Sequence, residues 1–492
     1  MNLLDVFLET ATRQPDHPLL QSARAHYTYG QFRQLISDLS AKLQAQGVKA
    51  GDCVALHYPN GPEYIALVYA LWGCQACVVP IPVELNTEEK QTIFHHIHID
   101  AVVSRDLLMP ALASVLASPA ITLDGQIAFA HCHVFCAHPP EFANVNAAFV
   151  RFTSGTTGNS KGVVLSHETI FARIQAANEG LHLGPDDRIV WLLSMAYHFT
   201  VSIVAYLSFG CTILLPTNSF GITIIRLAVD YNATLIYAAP MHYNLMAQDS
   251  SELMLPNSLR LAIVTTTALS SEVGEAFYQR FGKALNETYG IIEIGLPCMN
   301  LKQPLNKRGS IGQVLPAYEV RLHHCDSATG RGEIQVRGKG MIDAYYSPWR
   351  TYSTLLQENG GWFSTGDIGE FDADGYLFIR GRSKEVISVG GMKFFPQEVE
   401  TVLEQHPAIE TACVFRMPDQ RLGDIPYAAV VLKADSIPPS VDSINQYCAA
   451  HLAAHKIPVQ IHFVAQLQRT ASGKLLRNAS QLTVADKANE PV

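Results

Sequence analysis

One glycine- and hydroxyl-rich segment between two apolar runs constrains this chain most strongly. Residues 147–150 predict a short buried strand, and residues 163–167 begin the next ordered element. Between them, residues 152–162 read Phe-Thr-Ser-Gly-Thr-Thr-Gly-Asn-Ser-Lys-Gly. The glycines let backbone N–H groups surround an anion, the hydroxyls add donors, and Lys161 adds a positive charge. The segment therefore predicts a phosphate-binding loop without the Walker spacing, while its composition alone also allows a flexible surface loop.

Length and charge limit the classes of function. The 492 residues predict two or three domains, and 48% apolar with 16% charged residues indicates large cores rather than disorder. The chain has 35 basic and 44 acidic residues, a net charge of −9, and no long basic run. Nucleic acid is therefore an unexpected partner.

The N-terminus predicts no export signal. Asp5 and Glu9 lie on an amphipathic helical pattern, and the basic start and unbroken apolar stretch of a signal peptide are missing. No segment approaches 18 consecutive apolar residues, so we expect a cytoplasmic protein without a membrane span.

Ten irregularly spaced cysteines favour reduced, packed thiols. Two clusters invite a metal interpretation: Cys74 with Cys77, and the group from His131 to Cys136 followed by His138. Neither has a second ligand group nearby in the sequence, and a structural zinc ion needs four ligands. Buried or edge residues are the favoured interpretation.

Helical and strand-like patterns alternate along the chain. Strand-like apolar runs occur at residues 52–58, 76–82, 188–194, 234–240 and 261–269, and helical spacing occurs near residues 27–39 and 64–73. Residues 332–338 alternate with the period of two that is typical of a strand. This order predicts an α/β fold with a parallel sheet.

Four further motifs follow the predicted phosphate loop. They are Tyr-Gly-x-x-Glu at residues 289–293, Ser-Thr-Gly-Asp at 364–367, Gly-Arg-x-Lys-Glu at 381–385 and Thr-x-x-Gly-Lys at 470–474. In this order they resemble the adenylate-forming (ANL) superfamily, which contains acyl-CoA synthetases, adenylation domains of peptide synthetases and beetle luciferases. The resemblance covers about residues 10–480. It implies a large N-terminal domain of several subdomains with parallel and mixed sheets, at residues 1–381, and a small mobile α+β C-terminal domain, at residues 382–492.

The same resemblance assigns a nucleotide site. The residues that would bind ATP are Thr153, Ser154, Gly155, Thr156, Thr157, Gly158, Lys161, Asn286, Tyr289, Gly290, Asp367, Arg382 and Lys474. Tyr289 would lie against adenine, Asn286 would reach its amine edge, and Asp367 would accept hydrogen bonds from the ribose hydroxyls. Glu293 would hold Mg²⁺, which prefers carboxylate oxygen. The catalytic set would be Lys474, Glu293, His198 and Thr156.

The resemblance also implies an acyl pocket. Its predicted residues are His198, Phe199, Ala239, Val264 and Ile291. Adenylation domains for α-amino acids usually carry an Asp near His198, and none is present here. The resemblance therefore favours an acid without a free α-amine, and the apolar lining favours a medium-chain fatty or aryl acid.

Four residues at three places in the chain depart from the superfamily pattern. Thr265 and Thr266 stand in a loop that usually contains glycine, Ile292 replaces the usual Thr before the metal-binding Glu, and Gln468 replaces a Pro. Adenine contact at the Thr265–Thr266 loop is therefore a weaker expectation. Ile292 removes an expected hydroxyl contact to the α-phosphate, which predicts slower chemistry or compensation by Thr156 or Thr157.

The resemblance implies an AMP-forming acid–thiol ligase. ATP would convert a carboxylic acid to an acyl-adenylate, and the C-terminal domain would then turn about Lys384 and bring the Gly391 loop to a pantetheine thiol. The thiol would belong to CoA, or to the phosphopantetheine of an acyl or peptidyl carrier protein in a stand-alone loading enzyme. A non-catalytic nucleotide-binding homologue is the alternative from another class.

Overall fold

A computed structural model gives the fold, and it describes residues 1–23, 25–153, 161–326, 329–434, 436–469 and 475–482. The chain forms two compact units. The first comprises Met1–Val320, Val336–Phe363 and Ala373–Leu377, and the second comprises Arg321–Gln335, Ser364–Asp372 and Phe378–Val492. The boundary between residues 381 and 382 that the motifs suggest stays a prediction.

The strands are short, as in most α/β folds. In chain order they are β1 (Pro18–Gln21), β2 (His26–Thr28), β3 (Cys53–His57), β4 (Cys77–Pro80), β5 (Ala101–Arg105), β6 (Ile121–Asp124), β7 (Ile127–His131), β8 (Ala147–Thr153), β9 (Lys161–Ser166), β10 (Arg188–Trp191), β11 (Thr212–Leu214), β12 (Leu235–Ala238), β13 (Leu261–Val264), β14 (Asn286–Ile291), β15 (Gly295–Met299), β16 (Gln313–Val314), β17 (Tyr318–His323), β18 (Gly332–Gly338), β19 (Ala344–Tyr345), β20 (Arg350–Thr351), β21 (Phe363–Phe371), β22 (Leu377–Arg382), β23 (Ile387–Val389), β24 (Met392–Phe394), β25 (Ile409–Asp419), β26 (Gly423–Leu432) and β27 (Gln460–Phe463).

The α-helices alternate with these strands. They are α1 (Leu3–Arg13), α2 (Tyr29–Ala45), α3 (Pro62–Gly73), α4 (Thr87–His96), α5 (His167–Leu181), α6 (Met195–His198), α7 (Ile203–Ser208), α8 (Gly221–Asp230), α9 (Pro240–Ala247), α10 (Ser271–Phe281), α11 (Tyr352–Gln357), α12 (Pro396–Glu404) and α13 (Val441–His451). Within the described ranges, no helix combines the length and the apolar character needed to cross a membrane.

The first unit contains two nine-stranded sheets. One has the order β16-β15-β14-β13-β12-β10-β11-β1-β2, and its six strands from β14 to β1 run parallel. The other has the order β20-β19-β9-β8-β4-β3-β5-β7-β6, and its strands β8, β4, β3 and β5 run parallel. The crossover helices cover the apolar faces of both sheets, as parallel strands require.

Helix α3 is the most deeply buried of these crossovers. Residues 64–72 are all buried, so the helix is apolar on every side. The ring of Trp72 packs edge-on against Tyr69 and Phe199, and its indole N–H donates to the Ala148 carbonyl at 2.9 Å. This bond satisfies a polar group inside the core and joins α3 to β8.

The second unit carries most of a four-stranded sheet and all of a five-stranded one. The first has the order β17-β18-β21-β22, and in the second β24-β23-β26-β25 is extended by β27 on β26. Helices α12 and α13 cover the five-stranded sheet through a core that includes Val399, Leu403 and Ile444. The predicted α/β class, with a large N-terminal domain and a smaller C-terminal one, is confirmed.

The loop after β13 holds an unusual backbone conformation. Thr266 has φ of +81°, in the left-handed region that β-branched residues rarely adopt. This is one of the two threonines that replace the superfamily's glycine. The chain therefore keeps a glycine-type conformation with a residue that is strained in it.

Replacing Thr266 by Gly should stabilise the protein. We expect a gain of about 1 kcal/mol in the free energy of unfolding, because the relieved strain exceeds the entropy that glycine adds to the unfolded chain. Chemical unfolding followed by tryptophan fluorescence measures it. Thr265→Gly is the matched control, because Thr265 bonds the buried Tyr237 and has no positive φ; that variant should lose stability. Equal losses in both variants would contradict the assignment of strain.

Candidate active site

The carboxyl edge of the first sheet gathers several predicted site segments. Strands β10, β12, β13 and β14 are parallel neighbours, so the segments that follow them leave the sheet at one edge. Those segments begin at residues 192, 239, 265 and 292. In open α/β sheets, ligands bind outside this edge. All five predicted pocket residues lie in these segments or in the last residue of a strand that precedes them.

The predicted phosphate loop joins two strands of the second sheet. Strands β8 and β9 pair antiparallel up to Thr153 and Lys161, so residues 154–160 connect adjacent strand ends. Ser154, Gly155, Thr156, Thr157 and Gly158 lie outside the described residues, as do the side chains of Thr153 and Lys161. Their assignment to the phosphates stays a prediction.

His198 and Phe199 follow β10 in different environments. His198 is the last residue of α6 and is half-buried. The centroid of its ring lies 6.3 Å from the centroid of the Trp191 ring. Phe199 is almost completely buried and stacks on Phe149, with Tyr64 beside it. Phe199 is therefore part of the hydrophobic core next to the carboxyl edge, whereas the His198 side chain is partly exposed to solvent.

Ala239, Val264 and Ile291 stand at the ends of three adjacent strands. Ala239 precedes α9 and is half-buried, Val264 is buried in the core at the last position of β13, and Ile291 is the half-buried last residue of β14. A small residue and two aliphatic ones at this edge give it an apolar surface.

The predicted adenine segment is firmly tied into the sheet. The Asn286 side-chain amide donates to the Asn300 carbonyl at 3.0 Å and accepts from the Ala262 N–H at 3.2 Å, so both of its polar ends have protein partners. Tyr289 is buried and lies opposite Cys298 in the antiparallel pair with β15. A Cβ on Gly290 would stand 2.3 Å from the Gly295 carbonyl oxygen, so only glycine fits there.

Glu293 stands in the turn between β14 and β15. Its carboxylate accepts a hydrogen bond from the Tyr345 hydroxyl at 3.1 Å, and its backbone carbonyl accepts from the Ile342 N–H at 2.7 Å. Both contacts come from the segment around β19, so two parts of the first unit fix the orientation of this carboxylate. The preceding Ile292 is buried, with its side chain in the protein interior.

Two arginines, the half-buried Arg151 and the buried Arg173, interact electrostatically with Glu293, and the sequence reasoning missed both. Burial lowers the pKa of Arg151, and Glu293 and Tyr197 oppose the shift. Its guanidinium donates to the Tyr197 carbonyl at 2.7 Å. Burial also lowers the pKa of Arg173 to about 10, and electrostatic interactions with Tyr318, Asp343 and Glu293 oppose this shift. The sequence did contain a signal for Arg151, because it is a charged residue inside the apolar strand β8. The sequence around Arg173 contained no comparable signal of a functional role.

In the second unit, the structure brings Asp367 and Arg382 together. Arg382 Nε lies 3.0 Å from Asp367 Oδ1, and the Asp367 side chain is buried. Gly366, beside it, has φ of +76° and donates its N–H to the Glu333 carboxylate at 3.2 Å. The two residues that the resemblance assigns to ribose and nucleotide thus form one ion pair on adjacent strands.

The remaining predicted residues of the second unit lie on its surface or beyond the described ranges. Lys384 is exposed in a short 3-10 turn after β22. Gly391 has φ of +86° in the turn between β23 and β24, with no atom within 4 Å of a Cβ built there. Lys474 lies outside the described residues.

The ten cysteines are all free, and eight are buried. Cys74 and Cys77 are both among the buried eight. Burial raises the pKa of the Cys74 thiol to about 11, which keeps it protonated and unreactive near neutral pH.

Glu287 is a buried acid that the motif analysis did not single out. It lies next to Asn286 on β14, and its carboxylate accepts a hydrogen bond from the Gly309 N–H at 2.6 Å. Burial raises its pKa to about 7, above the ordinary value of 4.5. The folded chain therefore binds this proton more tightly than the unfolded chain does, and stability falls as pH rises from about 4.5 to 7.

Replacing Glu287 by Gln should remove this pH dependence. The amide oxygen keeps the Gly309 bond, so the variant should exceed the parent by about 2 kcal/mol in unfolding free energy at pH 8 and by much less at pH 5. Unfolding midpoints at the two pH values measure it. Glu319→Gln is the control, because that exposed acid pairs with Arg337 and its pKa is lowered. A gain of the same size at both pH values would contradict the raised pKa.

Known proteins resemble the chain over nearly its whole length. The long-chain-fatty-acid--CoA ligase FadD13 of Mycobacterium tuberculosis is 28% identical over 475 residues, covering 93% of each chain. The 2-succinylbenzoate--CoA ligase of a Geobacillus species is 27% identical over 499 residues, covering 98% of each. The solved o-succinylbenzoate CoA synthetase of Bacillus subtilis, in complex with its acyl-adenylate intermediate, has a TM-score of 0.83 at 22% identity and covers 98% of both chains. At that identity the structural likeness shows the fold.

Two family models match this chain, one in its N-terminal part and one in its C-terminal part. The model of the AMP-binding enzyme matches residues 7–346, and the model of the AMP-binding enzyme C-terminal domain matches residues 398–474. The first match alone covers more than half of the chain and contains the predicted phosphate loop, Tyr289 and Glu293. The superfamily resemblance is therefore confirmed: the chain belongs to the AMP-binding, adenylate-forming enzymes.

Proposed function

We propose that the protein is an acyl-CoA ligase that activates a carboxylic acid as its adenylate and transfers the acyl group to CoA. The observation that carries the proposal is the carboxyl edge of the first sheet. There, the apolar ends of adjacent parallel strands lie with Tyr289, which is near the end of β14, and with the oriented carboxylate of Glu293, which follows β14. The curated relatives reported above are CoA ligases, and the alignments with them span almost the complete chain.

The first step forms a mixed anhydride. A carboxylate oxygen of the substrate attacks the α-phosphorus of ATP, the bond from that phosphorus to the bridging oxygen of the β-phosphate breaks, and pyrophosphate leaves with that electron pair. Charge spreads over the phosphate oxygens meanwhile. The loop at residues 154–161 would supply backbone donors there, and Lys474 would bridge the acyl carboxylate and the α-phosphate.

The residues around Glu293 suit a magnesium ion. Mg²⁺ takes carboxylate oxygen readily, and the Tyr345 hydroxyl holds this carboxylate through a single hydrogen bond at 3.1 Å. When bound, the ion supplies neutralising charge beside the phosphates. Arg151 and Arg173 interact electrostatically with Glu293, so positive side chains as well as the Tyr345 hydroxyl contribute to the environment of this carboxylate.

The second step needs a thiol. Its sulfur attacks the acyl carbonyl, the bond between the carbonyl carbon and the phosphate oxygen breaks, and AMP leaves. The C-terminal domain would turn about Lys384 between the steps, withdrawing Lys474 and presenting the Gly391 turn. The open space around Gly391 suits a pantetheine arm that passes close to the backbone.

The acid is a medium-chain fatty or aryl acid in this proposal. Ala239, Val264 and Ile291 give the strand ends an apolar lining, and His198 adds a polar edge. The acceptor is CoA, and a carrier-bound phosphopantetheine is the alternative because it presents the same arm.

A catalytically silent nucleotide-binding protein is the alternative from another class. Ile292, Thr265 and the strained Thr266 favour it, because they replace residues that the superfamily uses near the nucleotide. Glu293, Asp367, Arg382 and Lys474 oppose it, because a chain without catalysis has no chemical need for all four.

Replacing Lys474 by Ala should separate the two half-reactions. Adenylation, measured as ATP–pyrophosphate exchange, should fall by about a hundredfold or more, because the lysine acts on charge that develops only in that step. Transfer from a supplied acyl-adenylate to the thiol should persist at nearly the parent rate. Lys433→Ala, which removes an exposed lysine elsewhere in the second unit, is the control and should change neither rate. Equal loss of both half-reactions in the Lys474 variant would contradict the assigned role.

The acceptor can be identified by direct competition. We expect thioester formation with CoA, after activation of medium-chain fatty or aryl acids, to exceed that with a holo carrier protein at equal thiol concentration. Faster transfer to the carrier protein would favour the loading enzyme. No pyrophosphate exchange with any acid in a broad panel would favour the silent homologue.

A further inference from the structure

A group of side chains of the kinds that ligate metals lies beside β5, a strand of the second nine-stranded sheet. Among the described residues, His98, Asp100 and His138 each offer a ligand atom, and these atoms lie within 4.8 Å of one another. His98 and Asp100 precede β5, while His138 follows the cysteine- and histidine-rich segment that the sequence analysis left without partners. The fold supplies the partners that spacing along the chain could not reveal.

The contacts of His98 place its second ring nitrogen beside the Asp100 carboxylate. Its Nδ1 lies 2.9 Å from the carbonyl oxygen of Cys136, which only accepts, so Nδ1 carries a hydrogen. Its Nε2 lies 3.0 Å from Asp100 Oδ1. With Nδ1 on the Cys136 carbonyl, Nε2 of His98 and Oδ1 of Asp100 are the atoms that these two residues can offer to a common ion.

The other two side chains are already held by outer contacts. Asp100 Oδ2 accepts the Cys53 N–H at 2.8 Å, which leaves Oδ1 on the side of His98. The His138 ring stacks on that of His98 with centroids 3.9 Å apart, and its Nδ1 lies 2.9 Å from the Tyr346 hydroxyl. Metal-binding histidines usually have their second ring nitrogen fixed by such a partner.

We propose that His98, Asp100 and His138 bind a zinc-type divalent ion, with water as the fourth ligand. Two imidazoles and one carboxylate suit zinc better than magnesium or calcium, which prefer oxygen alone. Zinc bonds of about 2.0–2.2 Å place neighbouring ligand atoms about 3.3 Å apart in a tetrahedron, so small side-chain rotations complete the site. The side chains of His98 and Asp100 remain 17% and 30% exposed, which gives an ion a path from solvent.

The position of this zinc site indicates a structural role. Tyr346, whose hydroxyl also accepts the His98 N–H at 3.2 Å, donates its own N–H to the Gly162 carbonyl at 2.7 Å. Gly162 belongs to β9, the strand that follows the predicted phosphate loop. A bound ion would therefore tie the start of β5 and the segment at residues 136–138 to the base of that loop.

Zinc binding by the full-length chain, freed of metals and carrying no histidine tag, tests the proposal with Zn²⁺ as the probe. Titration calorimetry and equilibrium dialysis should give one tight site per chain. Asp100→Asn keeps an acceptor for Cys53 but loses the charge, and His138→Asn loses a ligand; each should weaken binding by about tenfold or more. Zinc should raise the melting temperature of the parent and leave that of these variants unchanged.

Two matched variants separate this site from ordinary surface binding. His133→Asn changes an exposed histidine of the same segment, and Cys136→Ser removes the neighbouring thiol while keeping the carbonyl; both should bind like the parent. If the Asp100 or His138 variant fails to fold, the absorption spectrum of Co²⁺ in the parent serves instead, and it should lack a thiolate charge-transfer band. Absence of tight binding, unchanged affinity in both ligand variants, or a thiolate band would overturn the proposal.

Discussion

Everything in this structure depends on the parallel alignment of neighbouring strands. Because β10, β12, β13 and β14 run the same way, the residues that follow them must emerge at one edge, whatever their separation in the sequence. Segments almost a hundred residues apart, near His198 and Glu293, thereby become neighbours along that edge. The backbone hydrogen bonds of the sheet therefore bring together functional side chains that no single local motif contains.

Charge at this edge is controlled by burial. Glu293 is half-buried, and the arginines near it are surrounded by protein, so their interactions are stronger than they would be in water. The Arg173 guanidinium keeps Nη1 and Nη2 without a hydrogen-bond partner among the described residues, and its Nε donates to the Gly340 carbonyl at 2.8 Å. A buried guanidinium of this kind is costly unless acidic groups lie near it, and Asp343 and Glu293 both interact with it. Glu293 is therefore part of the electrostatic environment of Arg173 as well as a candidate ligand.

Sequence reasoning was most successful where the pattern is local. The strand at residues 53–57 and the helix at residues 62–73 were predicted within a few residues. An apolar run marks the strand, and the sequence Pro-Asn-Gly-Pro at residues 59–62 separates it from the helix, so both signals are local. The order of five motifs was enough for the family, which both family models confirm. Thr265 and Thr266 were recognised as a departure, but the positive φ of Thr266 needed coordinates.

The rest could not be predicted because it depends on pairing across the chain. Asn286 was expected at adenine, and only the fold reveals its bonds to Ala262 and Asn300. His138 had no partner in its own segment, and the antiparallel pairing of β5 with β7 brings the segment after β7 to His98 and Asp100. The pKa of a buried acid such as Glu287 is set by the protein around it, and the spacing of residues along the sequence does not reveal it.

The most direct measurement is a crystal structure of the protein with AMP or a stable acyl-adenylate analogue. The account predicts the adenine ring against Tyr289, the phosphate near Glu293 and the loop at residues 154–161, and the acyl group among Ala239, Val264 and Ile291. A nucleotide bound elsewhere, with the carboxyl edge of the first sheet empty, would contradict it.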